Sequence, residues 1–302
     1  MLSSLNKVVV CLDHSSIDKS LIENACQINS VSDLKEIIFL NVIKDFNLPE
    51  AMKKEFPDLI QKAIDDRYNE MVDLVKGHFD CDVNIKYLVK QGSEAKEVLK
   101  VIEEQKSDLV ILGKKRKSES VFTTRVARRS PCNLLFIPEN VKIKFDKIMV
   151  PVDFSEYSFL SLSTALKLTD NLSTQLLLEN VYHVPSSYRY SGKSYGEFAE
   201  VIKGHAKNDL DAMLKKVEIK NQKIEPIFTI DKSGNVIDII LQQAEKNKVD
   251  LIIMGAKGRT TASALFIGSK SERMIRSNYD IPLMIIRKKG AMKGIIESLQ
   301  GL

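Results

Sequence analysis

The stretch VDLIIMG, Val249 to Gly255, is a compact apolar run closed by a glycine, and it has a counterpart earlier in the chain. That counterpart is SDLVILG, Ser107 to Gly113, with Asp108 matching Asp250 and Gly113 matching Gly255. Working outward, KVVVCLDHS from Lys7 is echoed by KIMVPVDFS from Lys147, and EIIFLNVIKD from Glu36 by QLLLENVYHV from Gln175. NLLFIPE from Asn133 is echoed by PLMIIRK from Pro282. The order of the matches is the same in both halves, which marks an internal duplication. The sequence therefore divides into a domain at 1–140, a second at 145–290 and a tail at 291–302, with the short polar connection PENVKIKFD, Pro138 to Asp146, between the domains.

Within each half, runs rich in Val, Ile and Leu alternate with helical patterns. LSLSTALKLTDNL carries Leu160, Leu162, Ala165, Leu166 and Leu168 on roughly one helix face, and GNVIDIILQQAEKNK carries Val236, Ile237, Ile240, Leu241 and Ala244 at helical spacing. The strand runs are apolar on both faces, as a parallel sheet covered by helices on both sides requires. Each half is predicted to be a β-α-β-α-β-α-β-α-β unit, so the chain is α/β, with two tandem doubly wound, five-stranded, parallel-sheet (Rossmann-like) domains. Such sheets bind ligands beyond the carboxyl ends of their strands, where the strand order reverses. The aspartate after the first strand and the glycine loop after the fourth both fall at that edge.

A chain of 302 residues with 44% hydrophobic residues can bury cores for two domains. The four cysteines (Cys11, Cys26, Cys81 and Cys132) stand singly without a CxxC, which argues against a zinc ribbon and fits reduced thiols in a cytoplasm. The opening MLSSLNKVVVCLD does not read as a signal peptide, and no apolar run reaches the ~18 residues of a membrane helix. The expectation is a cytoplasmic protein without a membrane partner.

IIMGAKGRTTASALFIGSKSE, Ile252 to Glu272, places Gly255, Gly258 and Gly268 in the loop after that fourth strand. Glycine permits close approach of backbone N–H groups and a positive φ. The loop ends where GSKSE starts a helix, and a helix N-terminus suits phosphate. Ser269 and Glu272 equally satisfy the S-x-x-E pattern of a capping box, which needs no ligand. Asp153, just past the first strand of the second half, is an acceptor placed for ribose hydroxyls, or a turn or N-cap aspartate.

Gly255-x2-Gly258-x9-Gly268-Ser269, together with VPVDFSE at Val150 to Glu156, resembles the nucleotide-binding signature of the universal stress protein family in its ATP-binding branch. The resemblance runs over nearly the whole chain as two tandem copies. It implies a stress-response role and ATP, alone or with Mg²⁺, as the cofactor. Pro151, Val152, Asp153, Val181, Gly255, Gly258, Arg259, Gly268, Ser269 and Lys270 would form the site. On that resemblance Asp153 contacts ribose or adenine, the main chain near Val181 holds the adenine edge, and Gly258, Gly268 and Ser269 line the phosphates. It also implies pairing through the last strands, so that the halves form an internal pseudo-dimer, with room for a further homodimer.

The first half departs from the pattern. From Gly113 to Asn133 is 20 positions, against 27 from Gly255 to Pro282, so its loop is seven residues shorter and lacks the second glycine and the Gly-Ser pair. In their place stand Lys114, Lys115, Arg116, Lys117, Arg125, Arg128 and Arg129, with Glu119 the one acidic residue among them. One nucleotide per chain, in the second half, is the expectation. The basic segment 114–129 reads as a solvated face or a contact for an acidic partner. Nucleic acid is disfavoured, because Phe122 is the one aromatic available for stacking.

SGKS at Ser191 to Ser194 lacks the first glycine of a P-loop and sits in an irregular loop. His14, His78, His183 and His205 have no metal-ligand spacing, although His14 and His183 fall near strand ends. The glycine loop contains no carboxylate pair or base to activate a nucleophile. The sequence therefore points to a nucleotide-dependent sensor or switch, catalysing at most slow ATP hydrolysis. A slow ATPase or phosphotransferase, and a polyanion-binding module on the basic segment, are the alternatives. The tail carries Met292, Ile295, Ile296 and Leu299 at the spacing of a short amphipathic helix.

Overall fold

The computed structural model describes residues 5–44, 49–115, 121–258 and 267–288. The tail 291–302, Arg116 and Lys117 of the basic segment, and Arg259 with the loop behind it lie outside the described residues. The chain folds as two compact units, one reaching to Lys142 and the other spanning Ile143–Lys288.

The first unit runs β1 (Lys7–Leu12), α1 (Ile17–Ser30), β2 (Glu36–Ile43), α2 (Glu50–Glu55), α3 (Leu59–His78), β3 (Asn84–Gln91), α4 (Glu94–Glu104), β4 (Leu109–Lys114), α5 (Val121–Arg129) and β5 (Asn133–Pro138). Its strands lie parallel in the order β3-β2-β1-β4-β5. The second unit runs β6 (Lys147–Pro151), α6 (Glu156–Leu168), β7 (Gln175–His183), a 3₁₀ turn at Ser186–Ser191, α7 (Tyr195–Leu214), β8 (Lys223–Asp231), α8 (Val236–Lys246), β9 (Leu251–Gly255), α9 (Ser269–Ser277) and β10 (Leu283–Ile286). Its strands are parallel in the order β10-β9-β6-β7-β8. Both units are therefore the five-stranded Rossmann-like folds that the repeat predicts.

The central strands carry the cores. Val8, Val9, Val10, Val110, Ile111, Leu134 and Leu135 are fully buried in the first unit, as are Ile148, Met149, Val150, Ile252, Ile253, Met284 and Ile285 in the second. β3 and β8 end their orders and are only half buried, which explains why no matching run marked them in the sequence. Pro226, within β8, is tolerated because an end strand needs N–H groups on one side only.

Three repeated features turn out to be structural. Asp108 Oδ2 accepts from the N–H groups of Asn6 (2.9 Å) and Lys7 (3.1 Å), and Asp250 Oδ2 accepts from that of Lys147 (2.9 Å). Each aspartate thus ties the entry of one central strand to the other. Asn41 Nδ2 donates to the Leu12 carbonyl and Asn180 Nδ2 to that of Val152, both at 2.8 Å, so the first two strands of the units match residue for residue. His14 and Phe154 both sit at positive φ, 58° and 61°, in the turn after the first strand.

Two expectations change. Cys26 on α1 is joined to Cys81 in a disulfide with a Cα–Cα distance of 6.0 Å, where single reduced thiols were expected. Their separation of 55 residues conceals a proximity created by packing of α1 and α3 beside β3. SGKS does join two elements as a loop, but a more regular one than expected: Ser191 ends the 3₁₀ turn and Ser194 caps α7 in a capping box, its N–H donating to Glu197 Oε2 at 2.8 Å.

Candidate nucleotide site

The chain leaves β6 towards β7, then returns to β9 on the other side of β6, so the order reverses at the β6–β9 pair. That ladder registers only Ile148 with Leu251 and Met149 with Ile252. Beyond it Pro151 has no N–H to offer, and the strands part. A cavity of about 520 Å³ opens there, within the ~300–1,000 Å³ typical of small-molecule sites. Pro151, Val152, Asp153, Val181, Gly255, Gly258, Gly268, Ser269 and Lys270 all line it. Every site residue named from the sequence is therefore brought together, except Arg259, which lies outside the described residues.

The glycines are required for a different reason from the one their chemistry first suggests. The described glycines at positive φ are Gly92, Gly192 and Gly234, none of them in this loop. What Gly255 lacks is room: a Cβ there would sit 2.6 Å from Tyr157 Cβ and 3.1 Å from the backbone carbon of Tyr157. Gly113 stands equivalently against Ile17, where a Cβ would meet Cδ1 at 2.9 Å. Both glycines let a helix press onto a strand, which is why they survive in both halves. Gly258 differs, because its Cβ would meet Asp153 Oδ2 at 2.6 Å. There the missing side chain leaves space in the site itself. Gly255→Ala should cost about 3 kcal/mol, near the top of the range for overpacking, because backbone is struck. Gly113→Ala should cost less, because the end of a flexible isoleucine can move. Urea unfolding of the two variants measures the difference; equal costs would count against this packing argument.

Gly268 has φ −69° and ψ 151° and is the N-cap of α9, without a side-chain cap. The helix begins at Ser269, so Ser269 is not the capping residue that the S-x-x-E pattern proposed. Instead the Gly268 N–H donates to the Ala256 carbonyl at 2.7 Å, and Ser271 Oγ donates to that of Gly255 at 2.8 Å. These two bonds aim the start of α9 into the cavity, where the first N–H groups of a helix carry partial positive charge. Asp153 Oδ1 accepts from the Ser155 N–H at 3.1 Å, and Ser155 caps α6 by accepting from the Ser158 N–H.

The cavity also holds residues that the sequence reading passed over. Asn180, His205, Asp209 and Lys257 line it, as does His183, whose place near a strand end was noted. Lys257 Nζ lies 5.9 Å from the centre of the Tyr157 ring, and burial lowers its pKa. The most unusual lining residue is Glu179, with 1% of its surface exposed and no hydrogen bond of good geometry to either carboxyl oxygen. Burial raises its pKa to about 7, although the Thr229 hydroxyl favours the charged form. The signal was present: one acidic residue in the middle of QLLLENVYHV.

The corresponding pocket of the first unit is built otherwise. It measures about 380 Å³ and is lined mainly by apolar side chains, among them Leu12, Ile17, Leu21, Leu40, Val42, Val98 and Phe122. Lys115 Nζ bonds Asp13 Oδ2 at 2.7 Å. Burial would raise the pKa of Asp13, but the hydrogen bond and charge of Lys115 outweigh it and lower the value. Asp18 accepts from the backbone N–H groups of Asp13 (3.1 Å) and His14 (2.7 Å), the turn that faces the cavity in the second unit. The aspartate and the turn are thus engaged by the chain's own charges. Of the basic run, Lys114 is buried, which pushes its pKa down to about 8, so it is not part of a solvated face.

Comparison with known proteins places these features in context. The sequence pattern of the universal stress protein family matches residues 4–138 and 144–287. Two universal stress proteins of Methanocaldococcus jannaschii are similar to parts of the chain. One is 25% identical over 166 residues, covering 50% of this chain and 100% of the relative; the other is 27% identical over 145 residues, covering 48% and 83%. Among solved structures, a universal stress protein from Archaeoglobus fulgidus has a TM-score of 0.65 at 16% identity, covering 94% of this chain and 98% of that one. A functionally unknown protein from Pseudomonas aeruginosa also has a TM-score of 0.65, at 12% identity, covering 99% and 98%. At such identities these structures speak for the fold alone.

Proposed function

The chain belongs to the universal stress protein family, as a tandem two-domain member, and on that premise we propose that it is an ATP-binding sensor with one nucleotide site, in the second unit. The observation that carries this reading is the single cavity onto which Asp153, Val181, Gly258, Gly268, Ser269 and the start of α9 converge. The residues fit the ligand. The α9 N-terminus offers N–H donors and partial positive charge to phosphates, with Lys270 beside it. Gly258 leaves the space beside Asp153 open to a ribose. The apolar side chains of Val152, Ile237, Ile240 and Met254 supply the remaining walls for a base. Among the described residues no group of three or more His, Cys, Asp or Glu could hold a metal ion, so Mg²⁺ would arrive on the phosphates.

The first unit supports the other half of the proposal. With Asp13 bound to Lys115 and its turn held by Asp18, it takes no nucleotide and serves as a partner fold. Among the described residues no helix is long and apolar enough to cross a membrane. The test is calorimetric titration with ATP, together with mass spectrometry of nucleotide released from freshly purified protein. One adenine nucleotide per chain is expected. Two sites per chain, or no binding at all, would overturn the reading.

A further inference from the structure

The geometry points to Glu179 as the residue that reads the base of the bound nucleotide, by accepting a hydrogen bond from an amino group on that base. This inference rests on the nucleotide reading of the same cavity and goes beyond it.

The argument begins with the duplication. β1 pairs Lys7 with Glu36 and β6 pairs Lys147 with Gln175, so the registers coincide and Glu179 occupies the position that Leu40 holds in the first unit. The neighbouring Asn41 and Asn180 make the same bond in both units, which rules out a slipped comparison. A leucine is what this fold requires at that place: Leu40 is 1% exposed, as is Glu179. Replacing it by a carboxyl that makes no hydrogen bond of good geometry, with the Thr229 hydroxyl favouring its charged form too weakly to offset burial, is unfavourable for folding. A buried, unsatisfied acceptor on the wall of a cavity is satisfied when a ligand brings a donor.

The sheet order says which part of the ligand that is. The phosphate end belongs at α9, which follows β9, and Asp153 follows β6. Glu179 is on β7, the next strand again, so the order across the site is β9, β6, β7. Two strand spacings of ~4.8 Å separate the phosphate end from Glu179 by about 10 Å, the reach of a nucleoside from its 5′ carbon across the base. A carboxyl is also the wrong group for phosphate, because like charges repel. The ribose end falls at Asp153, and the base falls at Glu179. A purine with an exocyclic amine supplies the missing donor, and a purine without one leaves the carboxyl unsatisfied.

The experiment compares ATP with purine riboside triphosphate, which differs only in lacking the amine. Dissociation constants are measured by calorimetry for the full-length protein and for Glu179→Leu and Glu179→Gln. Wild type should bind ATP about tenfold or more tightly than the analogue, as expected for a hydrogen bond to a carboxyl. Glu179→Leu, which carries the residue of the first unit, should fold and should bind the two nucleotides equally. Glu179→Gln keeps an acceptor and should retain most of the preference. Equal binding of both nucleotides by wild type overturns this inference while leaving the nucleotide site in place, and so does an unchanged preference in Glu179→Leu. If wild type binds neither, the nucleotide reading falls and this inference falls with it.

Discussion

Gly268→Asp is expected to abolish the ATP-dependent rise in melting temperature without weakening the unliganded protein. At φ −69° and ψ 151° the backbone of Gly268 suits any residue, so the substitution brings no backbone strain. The N–H of residue 268 can still reach the Ala256 carbonyl. Aspartate is moreover among the best N-cap residues, worth a few tenths of a kcal/mol over glycine at a helix that has no side-chain cap. Its carboxylate would accept from the same first-turn N–H groups that the phosphates need, and would repel those phosphates as well. For wild type, ligand at a hundredfold excess over Kd adds about 2.7 kcal/mol of stability. The variant should show none of it. Gly113→Asp is the control: its side chain would press on Ile17 and lower the baseline, yet the ATP response should persist in full. An unchanged response in Gly268→Asp, or a lost one in Gly113→Asp, would place the nucleotide somewhere other than the second unit.

What made the fold legible was burial. Central strands such as β4 and β9 are apolar on both faces, so SDLVILG and VDLIIMG stand out as copies. The aspartates that open those copies were equally visible, but their role was not. Only the hydrogen bonds from Lys7 and Lys147 show that they pin strand entries. The glycines of the loop were found for their ligand chemistry, whereas Gly255 is held by the Tyr157 backbone pressing on it. That close approach depends on where α6 lands on the sheet, and no spacing rule encodes it. The disulfide was hidden for a similar reason, because Cys26 and Cys81 meet only through tertiary packing. Glu179 was written plainly in an apolar run, yet an acidic residue there gains meaning only when its strand is known to be buried and its end to face a cavity.

That carboxyl should also make the stability of the second unit depend on pH. Glu179 titrates near 4.5 in an unfolded chain, and burial raises it to about 7 in the fold. The folded state therefore holds the proton more strongly. Between pH 4.5 and 7 the unfolded carboxyl is ionised while the folded one is still largely protonated, so stability falls as the pH rises through that window and then levels off. At 1.36 kcal/mol for each tenfold change, the loss amounts to about 3 kcal/mol. Glu179→Leu removes the titrating group, so its stability relative to wild type should climb by that amount from pH 4.5 to 7 and stay constant above. Differences between the two proteins cancel the titration of the other cavity groups, Asp153, His183, His205, Asp209, Lys257 and Lys270. Saturating ATP should narrow the gap above pH 7, because an amino group that satisfies the ionised carboxylate lowers its pKa. Urea unfolding of both proteins at pH 5 and pH 8, with and without nucleotide, reads all four values. A gap that does not change with pH would mean that the Glu179 carboxyl is ionised in the fold as readily as in water, and that it has found a partner within the chain.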